Sequence, residues 1–317
     1  FHRQFFVPRL GLYFVCLFGV TMLVSIVAAL FFYKRWWRRF FRFNPGRGRV
    51  FWSEVHKITG LWTLWFALII ALTSVWYLFE AARYDIGDGI AAYMDSGDYA
   101  LHQIPAPDPD AADKPLAMDT LIARVHEEWP RLSIRQVYHG WPHDGSFQAV
   151  GQGGFPLVRD AANTMTLDLR SGELLAIQQA NELPAYWVWS HMADPLHFGN
   201  FAGLWSKGVW FAIGLALCGL ILTGTYLHAQ RLQREAGGRS RHRWAGMSAA
   251  LLISSLVLAA CVPLGLNHAQ GYTAGGGIAS VPLGAVAVIF GWVLLTLTIV
   301  AGWVWLLLRP TYWLNGK

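Results

Sequence analysis

The sequence has 317 residues, of which 55% are hydrophobic and only 14% are charged, and its mean hydropathy is +0.35. Soluble domains carry about 25% charged residues, so this composition excludes an ordinary soluble protein. The formal net charge is +6, with 25 Lys and Arg against 19 Asp and Glu.

Five apolar stretches without Asp, Glu, Lys or Arg are long enough to cross a membrane, whose hydrocarbon core of about 30 Å takes about 20 helical residues. In chain order they are residues 10–33, 58–79, 208–230, 244–266 and 281–308. The first is too long and too aromatic for a secretory signal peptide, and a basic segment, YKRWWRRF, follows it. The sequence therefore predicts a mainly α-helical integral membrane protein with five transmembrane helices.

Basic residues concentrate in two of the connections between these spans. Residues 34–57 carry eight Lys or Arg against one acid, residues 231–243 carry five against one, and residues 267–280 carry no charge. The positive-inside rule places the first two connections in the cytoplasm. We therefore expect residues 1–80 to hold two spans and the cytoplasmic loop 34–57, residues 81–200 to form an external domain, and residues 201–317 to hold three spans.

The external segment has the opposite charge to the whole chain. Residues 81–200 contain sixteen Asp or Glu and seven Lys or Arg. The positive net charge thus reflects membrane topology, and nucleic-acid binding is not expected. An acidic outer face would favour cationic ligands.

The external segment has the pattern of a small α+β domain. IPAPDPDAADKP is typical of a linker, and LAMDTLIARVHEEWP predicts a helix that ends before Pro130. Three stretches then predict antiparallel strands: IRQVYHG, GSFQAVGQ, and NTMTLDLRSGELLAI, which is a hairpin turning at residues 170–172.

Three motifs occur in an order that resembles one membrane protein family. MTLDLRSGELLAI is similar to the PepSY strand-turn-strand signature, VHKITGLW resembles a helix opening of the type LHRWLGL, and DPLHFGNFAGLWSKGVWFAIGLALCGLILTGTYL resembles a span with the pattern LHFG…G…TG. Over residues 50–310 the chain thus resembles the PepSY-associated transmembrane helix proteins of bacterial inner membranes. The resemblance implies a PepSY-like periplasmic domain between the second and third spans.

Within that family, the sequence resembles the ferric-siderophore reductases of the ferrioxamine-reducing type. This resemblance implies two haems, a ferric siderophore of hydroxamate type as substrate, and a cytoplasmic or quinol electron donor. No CxxCH motif occurs, so the haems would be non-covalent and b-type. Electrons would cross from the cytoplasm to the periplasm and reduce the ferric ion, and the weaker binding of Fe(II) would release it. No catalytic acid or base and no nucleotide-binding loop is predicted.

Six histidines lie near the ends of the predicted spans. Three are at cytoplasmic ends and three at external ends: His56, His228 and His242, and His191, His197 and His268. Imidazole is a common axial ligand of haem iron, and ionisable groups at membrane depth tend to be functional. A single one of them would more often be an interfacial ring with its polar tip in water. Their division into two groups of three favours one haem near each membrane face.

For the haem near the cytoplasm, the expected ligands are His56 and His228, because they lie on separate spans at similar depth. His242 is the substitute for either. If the chain is helical throughout, the 31 residues from His197 to His228 extend about 46 Å, so one span could reach both haems.

For the outer haem, the expected ligands are His197 and His268. His191 is the alternate, although it lies six residues before His197 and helical rotation would turn it away from the same iron.

Glycines follow two of these histidines at a spacing of four residues. Gly60 lies one helical turn from His56, and Gly246 lies one turn from His242, which could leave room for a flat porphyrin. The competing account is that they permit close helix packing, together with Gly214, Gly219 and Gly224.

Two other functions fit parts of the pattern. One is a membrane-anchored PepSY module that binds or inhibits a periplasmic protein and has no redox activity. The other is a ferric-siderophore permease, which the absence of charged residues from the predicted spans disfavours.

Overall fold

The computed structural model describes residues 10–86, 104–107, 114–155, 157–235 and 283–308, with single helical positions at 252, 256, 259 and 263. The chain divides into two compact units. The first comprises Phe1–Leu68 and Ile213–Lys317, and the second comprises Ile69–Ala212.

The described residues include seven helices and four strands. The helices are α1 (Leu10–Phe32), α2 (Arg49–Trp62), α3 (Leu64–Ile86), α4 (Met118–Glu128), α5 (Ala185–Phe198), α6 (Gly203–Glu235) and α7 (Leu283–Leu308). The strands are β1 (Ser133–His139), β2 (Ser146–Gln152), β3 (Thr164–Asp168) and β4 (Leu174–Gln178). Short 3-10 turns lie at Trp36–Arg39, Asp160–Ala162 and Ala180–Glu182.

Three helices among the described residues are long and apolar enough to cross a membrane. They are Leu10–Phe32, Leu64–Arg83 and Gly203–Leu232, and α7 contains a shorter apolar stretch, Val286–Gly302. The chain is therefore a membrane protein, and the first three predicted spans each have a matching helix. The predicted fourth span, 244–266, lies outside the described residues except for four isolated helical positions.

The second span starts later than the sequence predicted. α2 ends at Trp62, Thr63 has φ −90° and ψ 0°, and α3 begins at Leu64. The Thr63 hydroxyl donates to the carbonyl of Thr59 at 2.8 Å, a side-chain bond that competes with regular helix geometry. His56 therefore lies on a separate amphipathic helix that precedes the span.

The third span is also preceded by a separate helix. α5 ends at Phe198, Gly199 takes the left-handed conformation (φ 67°) that commonly stops a helix, and α6 begins at Gly203. The premise that the chain is helical throughout from His197 to His228 is thus wrong, and the 46 Å length does not apply.

The small α+β domain has the elements that the sequence predicted. β1 to β4 form an antiparallel sheet in sequential order, and α4 packs on it around a core of buried side chains: Leu121, Val125, Leu132, Phe147, Ala149, Met165 and Leu167. At the predicted hairpin, Asp168 Oδ1 accepts the backbone N–H groups of Arg170 and Ser171 at 2.7 and 2.9 Å, and Gly172 has φ 72°. The carboxylate thus fixes the turn of the signature motif.

Candidate functional site

In the first unit, one face of α2 packs on α6. Residues four apart on α2 meet successive turns of α6: Trp52 against Tyr226, His56 against Thr223, and Gly60 against Leu220. Positions at this spacing share one helix face. His56 is consequently the central contact of a helix pair.

The hydrogen bonds around His56 define its protonation. Its Nδ1 lies 2.8 Å from the Thr223 hydroxyl, and that hydroxyl donates its one proton to the carbonyl of Gly219 at 2.8 Å, with Leu220 at 3.2 Å. The oxygen can therefore only accept from the ring, so Nδ1 carries the hydrogen and Nε2 carries the lone pair. A histidine that binds a metal has this arrangement, with one ring nitrogen donating and the other coordinating.

Burial keeps the His56 ring neutral. Desolvation lowers the pKa of His56 from its usual value, and the nearby Leu220 carbonyl opposes this in part. A metal ligand must be neutral imidazole, so the environment meets that requirement.

The glycines of this helix pair serve packing. A Cβ at Gly60 would lie 3.8 Å from the Leu220 side chain, and a Cβ at Gly224 would lie 3.2 Å from His56 Cε1. Gly60 thus faces a neighbouring helix and not a vacant gap, which favours the packing account. Gly214 and Gly219 have no atom within 4 Å of such a Cβ among the described residues. Gly246 lies outside the described residues.

His228, the expected second haem ligand beside His56, lies on α6, the helix that also carries Thr223. His228 is exposed and follows Gly224 by four residues, so it lies one turn further along the α6 face that His56 contacts. His242 lies outside the described residues.

In the second unit, α5 packs along α3 through a line of polar contacts. The pairs are Thr73 with His197, Tyr77 with Asp194, Glu80 with Ser190, and Arg83 with Tyr186. The α3 residues recur every three or four positions, so they form one polar stripe on an apolar span. This stripe positions His197.

Like His56, His197 has a threonine hydroxyl as its hydrogen-bond partner, and here the threonine is Thr73. Its Nδ1 lies 2.8 Å from the Thr73 hydroxyl, which donates to the carbonyls of Ile69 at 2.8 Å and Ile70 at 3.1 Å. Nδ1 is therefore protonated, and Nε2 of His197 carries the lone pair. The ring of Tyr77 packs edge-on against the imidazole, at 5.3 Å between centroids. We call His56–Thr223 and His197–Thr73 the threonine–histidine pairs. His268, the expected partner of His197, lies outside the described residues.

His191 has the opposite tautomer. Arg159 Nε donates to His191 Nδ1 at 2.7 Å, so the hydrogen of the neutral ring is on Nε2. Burial, together with the smaller effect of the Arg159 cation, lowers the pKa of His191 to about 3, although the Asp194 carboxylate opposes both effects. With Nδ1 occupied by Arg159 and Nε2 protonated, this ring is arranged for a structural role.

A cavity of about 810 Å³ opens beside this network in the second unit. Its lining includes Arg159 and Asp194, residues of β1 and β2, and the start of α6. Among the described residues, no group of three or more His, Cys, Asp or Glu could hold a metal ion.

The sequence pattern identified the histidines but missed their partners. Thr73 and Thr223 are ordinary residues in apolar spans, and only the stripe of Thr73, Tyr77, Glu80 and Arg83 at helical spacing signalled a packed polar face. The helices that form these spans extend beyond the predicted bounds of 58–79 and 208–230, and they carry charged residues there. The second span extends to Arg83 and includes Glu80, and the third starts at Gly203 and includes Lys207.

These features define a class: a multi-span membrane protein in which a small α+β domain lies between two apolar helices in the chain, with two histidines held by threonine hydroxyls. A family model described as the PepSY-associated TM region matches residues 1–231. The chain belongs to this family, as its motifs implied. It is also 28% identical over 262 residues to an uncharacterized protein of Pseudomonas aeruginosa, covering 76% of this chain and 64% of that relative.

Proposed function

We propose that the protein is a haem-containing reductase of the bacterial inner membrane, which passes electrons from the cytoplasmic side to a ferric siderophore in the periplasm. The observation that carries the proposal is the pair of threonine–histidine contacts. In each, the hydroxyl fixes Nδ1 as the protonated nitrogen and leaves the lone pair on Nε2. Two unrelated helix pairs share this feature, which supports a common ligand type.

The proposed ligands are His56 with His228 for one haem, with His242 as the alternate, and His197 with His268 for the other. His191, the alternate that the sequence offered for the outer haem, is not proposed as a ligand, because its Nδ1 accepts from Arg159 and its Nε2 carries the hydrogen. A b-type haem bound at each site supplies one-electron transfer and no acid–base chemistry. The residues of the chain hold and orient the rings. Thr223 and Thr73 fix the orientation of each imidazole, and the packed helix faces leave both rings half-buried.

The stripe on α3 supports the external site. Tyr77 donates to Asp194 Oδ1 at 2.6 Å, and Ser190 donates to Glu80. These bonds fix α5, which carries His197, against the span. Small displacements of a ligand alter electron transfer strongly, so rigid placement is the task expected of these residues. The electron donor, a cytoplasmic protein or a quinol, would act from the opposite membrane face.

The experiment is an absorption spectrum of the full chain, expressed with a haem supplement and purified in detergent. We expect a Soret band, visible bands that sharpen on addition of dithionite, and about two haems per chain by the pyridine haemochrome assay. Reduction of a ferric siderophore by the dithionite-reduced protein should return the oxidised spectrum. A colourless preparation would contradict the proposal and favour a binding module without redox activity.

A further inference from the structure

The cavity in the second unit has the dimensions of a small-molecule site. Its volume of about 810 Å³ falls within the range of about 300–1,000 Å³ that is usual for ligand pockets. Residues from β1, the loop after β2, the end of α5 and the start of α6 line it. A site assembled from four separate segments is a property of the fold and not of one loop.

The cavity is rich in cations although the surrounding segment is acidic. Arg135, Arg159 and Lys207 line it with two carboxylates, Asp160 and Asp194. Both carboxylates already accept hydrogen bonds, Asp160 from Gln152 at 2.6 Å and Asp194 from Tyr77 and Arg159.

Among the described residues, the other two cations have no carboxylate partner. Within the part of the chain that the structure describes, neither Arg135 nor Lys207 forms an ion pair. A concave surface with two such cations attracts anions, because low-dielectric walls concentrate the field of the charges.

A β-bulge brings Arg135 to the cavity. On β1, Ile134 pairs with Gly151 and Gln136 pairs with Val150, so Arg135 is the extra residue without an opposite partner. Bulges change the direction of a side chain and are common beside binding sites. Gly151 is required there, since a Cβ at this position would lie 2.1 Å from the carbonyl oxygen of Ser133. The strand thus departs from regular pairing at the residue that supplies the cation.

Phenyl rings form the apolar part of the wall. Phe155, Phe198 and Phe201 line the cavity, and the first two are 39% and 52% exposed. Exposed aromatic faces inside a concave, charged surface are typical of ligand sites, where they stack on planar groups. Arginine guanidinium groups also stack on aromatic rings.

We propose that this cavity binds an anionic, aromatic ligand. If the proposed reductase function holds, on which this second step rests, the substrate is a ferric chelate whose donors are aryl oxygens, catecholate or phenolate. Such chelates carry negative charge and planar rings, which match Arg135, Lys207 and the phenyl groups. A cationic hydroxamate chelate of the ferrioxamine type lacks both features.

Binding can be tested apart from reduction with gallium(III), which has the charge of Fe(III) but is not reduced under these conditions. The probes are the gallium complexes of 2,3-dihydroxybenzoate and of desferrioxamine B, titrated calorimetrically into the full chain in detergent at low salt. We expect the anionic complex to bind at least about tenfold more tightly. Arg135→Gln and Lys207→Gln should each weaken it about tenfold, since each removes one charge-assisted contact.

Arg131→Gln is the matched control, because Arg131 is exposed, lies two residues before the same strand and does not line the cavity. Arg135→Lys should retain most of the affinity, which separates loss of charge from misfolding. Equal binding of the two gallium complexes, or equal affinity of the Gln variants and the control, would overturn the cavity assignment. Tight binding of the anionic complex without reduction of its ferric counterpart would instead overturn the reductase function.

Discussion

At the scale of single residues, a threonine hydroxyl orients a histidine ring at two separate places in the chain. A threonine hydroxyl has one proton, and on a helix it commonly gives that proton to the carbonyl four residues earlier. Thr223 and Thr73 both do so, and each oxygen then accepts from a histidine ring. The backbone of the span thereby fixes the tautomer of a histidine on another helix.

Replacement of Thr223 by valine tests this role, since valine keeps the shape and removes the acceptor. The bond from Nδ1 makes the imidazole a stronger donor to ferric iron, so its loss should raise the midpoint potential of one haem. If the hydrogen bond contributes about 1 kcal/mol, its loss shifts the one-electron midpoint potential by on the order of 40 mV. Thr225→Val is the control, because the Thr225 hydroxyl donates to the Ile221 carbonyl at 2.6 Å and, among the described residues, accepts from no histidine ring. Redox titrations of the two variants that give equal midpoints would refute the role of Thr223.

His191 predicts a pH dependence of stability. Its folded pKa is lowered to about 3, against about 6.5 when unfolded. The unfolded state therefore takes up the proton first on acidification, and stability falls as pH drops from about 6.5 towards 3, by at most about 1.4 kcal/mol per pH unit. Thermal unfolding in detergent between pH 7 and 4.5 measures this loss. In His191→Gln the free energy of unfolding should fall less steeply as the pH drops, because this variant lacks the contribution of the histidine, while the carboxylates contribute equally to both proteins. Identical slopes of the free energy of unfolding against pH in the two proteins would count against the lowered pKa of His191.

At the scale of elements, pairs of helices place the candidate ligands. α2 meets α6 at Trp52, His56 and Gly60, and α5 meets α3 along the polar stripe. At Gly224 a Cβ would lie 3.2 Å from His56 Cε1, which is closer than ordinary van der Waals contact.

Gly224→Ala should displace the His56 ring by a few tenths of an ångström. We expect a lower unfolding temperature and reduced occupancy of one haem, because the bond to Thr223 must lengthen. Gly219→Ala on the same helix meets no atom within 4 Å among the described residues, so it should be neutral or stabilising by about 0.5–1 kcal/mol. The measurements are the haem content per chain and the unfolding temperature of the two variants. Equal values for Gly224→Ala and Gly219→Ala would show that the position of His56 does not depend on the contact with Gly224.

The elements differ in how far the sequence could specify them. The four strands and α4 followed from alternating residues and from the Asp168 turn, which are local signals. The helix breaks at Thr63 and Gly199 did not, because neither residue interrupts an apolar run strongly. Contacts such as Thr73 with His197, 124 residues apart, depend on tertiary packing that no local pattern encodes.

At the scale of the whole molecule, the distribution of charged residues along the chain matches the predicted membrane topology. Basic residues concentrate in segments 34–57 and 231–243, and acidic residues concentrate in segment 81–200. By the positive-inside rule this favours a periplasmic acidic domain. The cavity lined by Arg135 and Arg159 of this segment and by Lys207 of α6 is a local exception, and we attribute that exception to the proposed ligand and not to topology. The acidic total alone had favoured cationic ligands, because a sum over a segment does not show which charges line one cavity.

The most direct test of the two-haem account compares His56→Ala and His197→Ala, each in the full chain with haem supplied. Each variant should lose one haem and keep the other, because the two histidines belong to separate threonine–histidine pairs. His126→Ala, on the exposed face of α4, should keep both. The pyridine haemochrome assay, normalised to protein, gives about one haem per chain for the first two variants if the account is right. Loss of both haems together, or of neither, would contradict it.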